Sequence, residues 1–233
     1  MSKSGLFKSV GVAALLAACM AGAAHADTES EGLPLVLSAS AIQIPRADFA
    51  GEASSADVRF AADWVAGNAD NQRLPFVIVD KKNAQAFVFG ADRRLRGVTS
   101  VLLGLAVGDG GLTDMSGRQI SSLRPEERTT PAGRFAAEPG RNLQGEPIIW
   151  VDYAAKLAIH RLRPDLQQQR RAHRMASSSA DDNRISMGCI VVPVAFYENV
   201  IQPVLGKTRS VVYVLPETRP VQGMLGSLQA SLN

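Results

Sequence analysis

The sequence predicts a mainly β protein: one sandwich or barrel-like domain with a few short helices. Three observations carry this. Short runs of β-branched and aromatic residues recur along the chain, separated by turn residues. Few stretches show the three-and-four apolar spacing of a helix. The 233 residues are 46% hydrophobic and 20% charged, a profile that can build a core and does not fit a disordered chain.

Residues 1–26 have the form of an export signal. Met1–Lys8 is basic, Val10–Ala18 is apolar and too short to span a bilayer comfortably, and Ala24-His25-Ala26 has the A-x-A form of a cleavage site. A second reading takes Leu16-Ala17-Ala18-Cys19, which resembles a bacterial lipobox, as a lipidation site with Cys19 as the new N-terminus. Both readings place the mature chain in the periplasm, and a membrane anchor is expected only if Cys19 is lipidated.

Residues 27–71 form a lead-in segment with one helix over Ser55–Ala66. There Val58, Ala61, Ala62 and Val65 share a face, Gly67 marks the stop, and Trp64 packs. Residues 72–216 form the main domain. Phe76–Asp80 and Gln85–Phe89 flank Lys81–Ala84 as a hairpin. Val98–Val107 is apolar, Leu112–Arg128 reads as a long polar surface loop, and Pro147–Tyr153 with Lys156–His160 reads as a strand pair. Residues 161–174 are Arg-rich and read as helical, with Pro164 in a first helical position. Ile185–Val192 carries a Cys, Pro193 starts a helix that ends before Pro203, and Ser210–Leu215 is the last strand. Residues 217–233 read as a tail.

Lys3 and Lys8 leave with the signal, so the mature chain holds 23 basic and 22 acidic residues. That balance argues against a nucleic-acid binder. The mature chain keeps one Cys, Cys189, and two His, His160 and His173. This set lacks metal-type spacing, so a zinc site is not expected. One Cys cannot form an internal disulfide, and an unpaired thiol in an oxidising compartment is either buried for structure or used.

Ser186-Met187-Gly188-Cys189 suggests use. A small residue and a Gly before a Cys let the backbone turn sharply, and the N–H groups of such a turn can stabilise an oxyanion. The thiol needs an imidazole. His160, 29 residues upstream, ends an apolar strand that would hold it rigidly, whereas His173 sits in the exposed Arg-rich stretch. A stabilised thiolate would react with iodoacetamide below neutral pH.

Thr130-Pro131-Ala132-Gly133-Arg134-Phe135, Ala158-Ile159-His160 and Ser186-Met187-Gly188-Cys189-Ile190, in this order, resemble the signature of the L,D-transpeptidase catalytic (YkuD-like) domain across residues 72–216. The resemblance implies a β-rich enzyme that remodels peptidoglycan without a metal or cofactor. Cys189 would be the nucleophile and His160 the proton donor and acceptor, oriented by the backbone carbonyl of Arg161. The N–H groups of Met187, Gly188 and Cys189 would form the oxyanion hole. Cys189 would attack the tetrapeptide stem between meso-diaminopimelate and D-Ala, D-Ala would leave, and an amine from a second stem or an anchored protein would resolve the thioester.

Three departures stand out. Met187 replaces a His common in the family, Val191 stands where an Arg is common, and residues 161–184 lengthen the gap between His and Cys. Arg184 is the candidate to replace the missing substrate contact, with Ser186 beside it. The Arg-rich insertion reads either as a carboxylate-binding or lid segment or as a solvated charged face. Other readings stay open: hydrolysis of the same acyl-enzyme as an L,D-carboxypeptidase or amidase, a sortase-like arrangement with Arg209, and a wall-binding module that has lost catalysis.

Overall fold

The structure, a computed structural model, describes residues 44–112, 115, 117–163 and 170–230. The export segment, Cys19 and Pro164 lie outside the described residues.

The elements run α1 Ala56–Asn68, β1 Phe76–Asp80, β2 Gln85–Phe89, β3 Leu95–Ser100, β4 Leu103–Gly104, β5 Gly133–Arg141, β6 Pro147–Asp152, β7 Leu157–Arg161, α2 Arg171–Met175, β8 Arg184–Ser186, β9 Ile190–Val192, α3 Val194–Phe196, α4 Gln202–Leu205, β10 Ser210–Val214 and α5 Val221–Ala230. The fold is mainly β, with short helices. Eight strands form one sheet in the order β3-β2-β1-β10-β5-β6-β7-β9, and β4 pairs with β8. The two ends of the sheet nearly meet, because Leu102 exchanges two backbone hydrogen bonds of 2.9 Å with Val191. Near-closure leaves few strand edges unpaired.

β1, β2 and β10 are apolar on both faces, and the register explains why. Val77, Val79, Ala86, Val88, Val212 and Val214 point into an inner core with Ile149, Ile159, Ile190 and Val192. Phe76, Ile78, Phe87, Phe89, Val211 and Tyr213 face a second core closed by α1 and α5. Strands buried on both sides read as unbroken apolar runs. Phe76 stacks on Phe89 at 4.7 Å. Each such buried side chain contributes about 1.5–3 kcal/mol.

Four sequence expectations change. The apolar run from Val98 to Val107 splits into β3 and β4, because the chain leaves one sheet for the other at Leu102. Gly67 does not end α1; the helix runs to Asn68, and Ala69 caps it in the left-handed conformation. Pro203 does not end a helix: it occupies the first turn of α4, where its missing N–H is tolerated, and the preceding turn Tyr197–Ile201 widens to π form. The segment beyond Pro216 is not a bare tail. Val221, Met224 and Leu225 of α5 are buried against the α1 side of the sheet, so lead-in helix, strands and C-terminal helix share one compact unit from Gln43 onward.

Candidate active site

Cys189 sits at the turn between β8 and β9. Ser186 Oγ accepts the Gly188 N–H at 3.0 Å and donates to the Cys189 carbonyl at 2.7 Å, closing the turn on itself. Gly188 has φ +128, and a Cβ there would stand 2.8 Å from the Thr129 carbonyl oxygen. Only glycine suits that backbone and that approach. Thr130, fully buried, locks the turn from the other side: its hydroxyl donates to the Gly188 carbonyl and accepts the Gly104 N–H, both at 2.8 Å. A Cβ on Gly104 would run into the Arg128 carbonyl, so this glycine is what lets β4 come so close.

Beneath Thr130 lies a buried charge cluster. Lys81, with no exposed surface, donates to the Thr130 carbonyl at 3.0 Å, the Gly108 carbonyl at 2.6 Å and Asp109 Oδ1 at 2.9 Å, and lies 3.3 Å from Glu217 Oε1. Burial alone would raise the Asp109 carboxyl, but hydrogen bonds from Thr218, the Glu217 N–H and Lys81 hold it well below the usual range. Arg184 completes the cluster through an ion pair with Glu217 and a 3.0 Å bond to the Lys81 carbonyl.

His160 stands on β7, parallel to β9, with Ile159 opposite Ile190 and His160 opposite Val191. One step back in the same register sets Ala158 beside Cys189. Side chains alternate along a strand, so His160 and Cys189 share the outer face while Ile159, Ile190 and Val192 fill the core. The imidazole and thiol thus occupy diagonal positions on adjacent strands. His160 Nδ1 lies 2.9 Å from the Arg161 carbonyl oxygen. A carbonyl only accepts, so Nδ1 carries the proton and Nε2 keeps a lone pair for the thiol. The Arg161 guanidinium points elsewhere, 3.3 Å from Glu146 and 3.7 Å from Glu198.

The thiol is enclosed although Cys189 as a residue is half-buried. Its Sγ donates to the Lys156 carbonyl at 3.6 Å. Burial pushes the thiol pKa up, against the pull of the Ala158 N–H and the Arg163 charge. Burial likewise pushes His160 down, and the charges of Arg163 and Arg171 add to it. Both shifts favour the uncharged form of each group, a thiol and an imidazole.

Cys189, Gly188 and Met187 open into a cleft with about 430 Å³ of empty volume. Its far wall is Leu112, Met115, Ile120 and Leu123. Those residues belong to the stretch expected to be a polar surface loop; instead Met115 and Leu123 are buried. The wall is tied to the β6–β7 turn by Met115 N–H to the Ala154 carbonyl at 3.0 Å and Lys156 Nζ to the Arg118 carbonyl at 2.6 Å. Glu127, also in the cleft, is held down to about 2 by hydrogen bonds from Arg118 and then Arg124.

Three of the expected site groups have partners within the protein. Arg184 is engaged by Glu217 and does not line the cleft, because a partner 33 residues away claims it. Ser186 is 3% exposed and staples the turn rather than facing a substrate. The Gly188 N–H is taken by that staple, which leaves Met187 and Cys189 as candidate oxyanion donors. His173 is exposed on α2, and Arg209 is exposed before β10. Of the described part of the insertion, Met175 packs on Leu102 and Val191, and Arg163 pairs with Glu146 at 2.8 Å. Sequence reasoning missed Lys81, Gly104 and Lys156. Among the described residues no three His, Cys, Asp or Glu side chains converge as a metal-type cluster.

No protein-family model matches this chain, and no curated protein matches it. Among solved structures, the catalytic domain of an L,D-transpeptidase from E. faecium is similar over 60% of this chain and 96% of its own, at 18% identity and a TM-score of 0.34. An L,D-transpeptidase from Xylanimonas cellulosilytica is similar over 60% of each chain, at 14% identity and a TM-score of 0.38. Likenesses this weak carry no argument about the reaction.

Proposed function

We propose that this protein is a cysteine acyltransferase of the L,D-transpeptidase type that acts on peptidoglycan tetrapeptide stems in the periplasm. The observation that carries the reading is His160 on β7 with Nδ1 held by the Arg161 carbonyl, paired to β9, whose register continued by one residue sets Cys189 diagonal to His160. The ordered motifs around Thr130, His160 and Cys189 agree with it.

In this reading the thiol turns from the Lys156 carbonyl toward the imidazole. His160 Nε2 takes the Sγ proton as sulfur attacks the carbonyl carbon of the stem, so that no preformed ion pair is needed. The negative charge that develops on the carbonyl oxygen is met by the N–H groups of Met187 and Cys189. The C–N bond then breaks, D-Ala leaves with the proton from His160, and a thioester remains on Cys189. An acceptor amine attacks the thioester, gives its proton to His160, and the thiol is restored. Water in place of the amine gives the hydrolytic outcome, and cleft shape decides between them.

The test is incubation of the purified protein with a tetrapeptide muropeptide, following intact mass and products, with Cys189→Ala as control. A transient adduct on Cys189 with D-Ala release supports the reading, and the product separates transfer from hydrolysis. Folded protein that gives neither adduct nor D-Ala sinks it in favour of a wall-binding module.

A further inference from the structure

We propose that the Lys156 ammonium binds a carboxylate of the molecule that enters the Cys189 cleft. The site rests on the acyl-donor reading above only for the identity of that molecule, a peptide ending in a free acid.

Among the described residues lining the cleft, Lys156 is the one cation. The other cations around the turn and the cleft are already matched: Lys81 with Asp109 and Glu217, Arg184 with Glu217, Arg118 and Arg124 with Glu127, and Arg163 with Glu146. Arg128 holds the Leu123 carbonyl and does not line the cleft. Among the described residues, no carboxylate lies within ion-pair distance of Lys156. Its ammonium holds one backbone carbonyl, that of Arg118. An ammonium has three donors, so two remain for a ligand. The second charged group of the cleft, Glu127, is already neutralised by two arginines and offers an anionic ligand little repulsion.

The backbone at Lys156 points the same way. Lys156 sits at φ +54, where it closes the β6–β7 turn and fixes its carbonyl beside Cys189. The same residue's carbonyl holds the Cys189 thiol. The cation is therefore tied by one residue's geometry to the sulfur, and a carboxylate bound to it would place the rest of the ligand along the cleft toward Cys189.

The experiment compares alkylation of Cys189 by bromoacetyl-D-alanine with alkylation by bromoacetyl-D-alaninamide, followed by intact mass. The two probes differ only in the charge of the far end. Lys156→Met is expected to lower the acid-to-amide rate ratio by roughly threefold to tenfold, the span of part-exposed to charge-assisted pairs. Lys156→Arg keeps the ratio near that of the unaltered protein. In the unaltered protein the ratio falls as NaCl is raised, which tests the site even if Lys156→Met fails to fold. A ratio unchanged in folded Lys156→Met, or one that does not fall with salt, overturns the proposal. Tetrapeptide acylation is measured alongside. Charge selectivity without acylation leaves the carboxylate site standing and removes the transpeptidase reading; acylation with a flat ratio does the opposite.

Discussion

The two halves of the sheet are finished differently. β1, β2 and β10 are covered on their second face by α1 and α5, and their side chains are apolar except at the strand ends Asp80, Gln85 and Ser210. β7 and β9 are covered by apolar groups on the inner face, while the outer face carries His160 and Cys189 in half-buried positions. A strand face covered only in part, here by Met175 of α2 packed on Val191, can hold polar side chains without stranding them from water. The helix-covered half holds the fold together, and the open half is where reacting groups can stand.

The sharpest test sets one residue from each half against the other. His160→Gln should lower the acylation rate by about 10²–10⁴-fold, the usual contribution of a general base, with a thermal midpoint close to the original. Phe89→Ala should destabilise the protein by about 3–5 kcal/mol in denaturant titration. If His160→Gln costs as much stability as Phe89→Ala, the two halves do not divide the work this way.

Lys81 joins the halves, since it follows β1 and reaches Thr130. Lys81→Met leaves Glu217 with Arg184 and Asp109 with only the more distant Arg219, and should cost about 3–5 kcal/mol, read from the same titration. Adding Glu217→Gln rebalances the charge and should recover part of the stability. Acylation stays low if the bond to the Thr130 carbonyl is what positions the turn.

A smaller effect is expected at Thr130. Thr130→Val strands the Gly104 N–H and removes the donor to Gly188, at about 1–3 kcal/mol of stability. Its acylation rate should fall, and Thr130→Ser should restore it. A loss in Thr130→Ser as large as in Thr130→Val would mean that the hydroxyl bonds are not enough to hold the turn.

The mildest test is pH. Because enclosure raises the folded thiol, alkylation of Cys189 by iodoacetamide should stay slower than that of a free thiol at neutral pH and climb on the alkaline side. A rate already level below neutral pH would mean a preformed thiolate. His160 has a folded pKa below its ordinary 6.5, so the stability it contributes is present above that value and is lost as pH falls through the lower, folded one. His160→Gln should flatten that part of the stability curve.

Much of the strand order was legible because the signal is local. Phe76–Asp80 and Gln85–Phe89 appear as read, since four turn residues between two apolar runs leave little choice. α5 was missed although Val221, Met224 and Leu225 have helical spacing, because Gly223 and Gly226 weaken the local pattern and only burial against the α1 side of the sheet stabilises it. Cys189 and His160 were singled out by residue type and order. Arg184 and Ser186 were misread because their partners could not be inferred: Arg184 found a carboxylate 33 residues on, and Ser186 turned its hydroxyl inward.

By itself, the sequence determined the Phe76–Phe89 hairpin, which thiol and imidazole are available, and that a Gly precedes the thiol, because each of these depends on neighbours within a few residues. Tertiary structure alone decided that the thiol is enclosed, that Lys81 is buried, and that Lys156, among the described residues lining the cleft, is a cation with no carboxylate beside it. Desolvation and ion pairing depend on which distant groups arrive at the same place, and chain spacing does not record that.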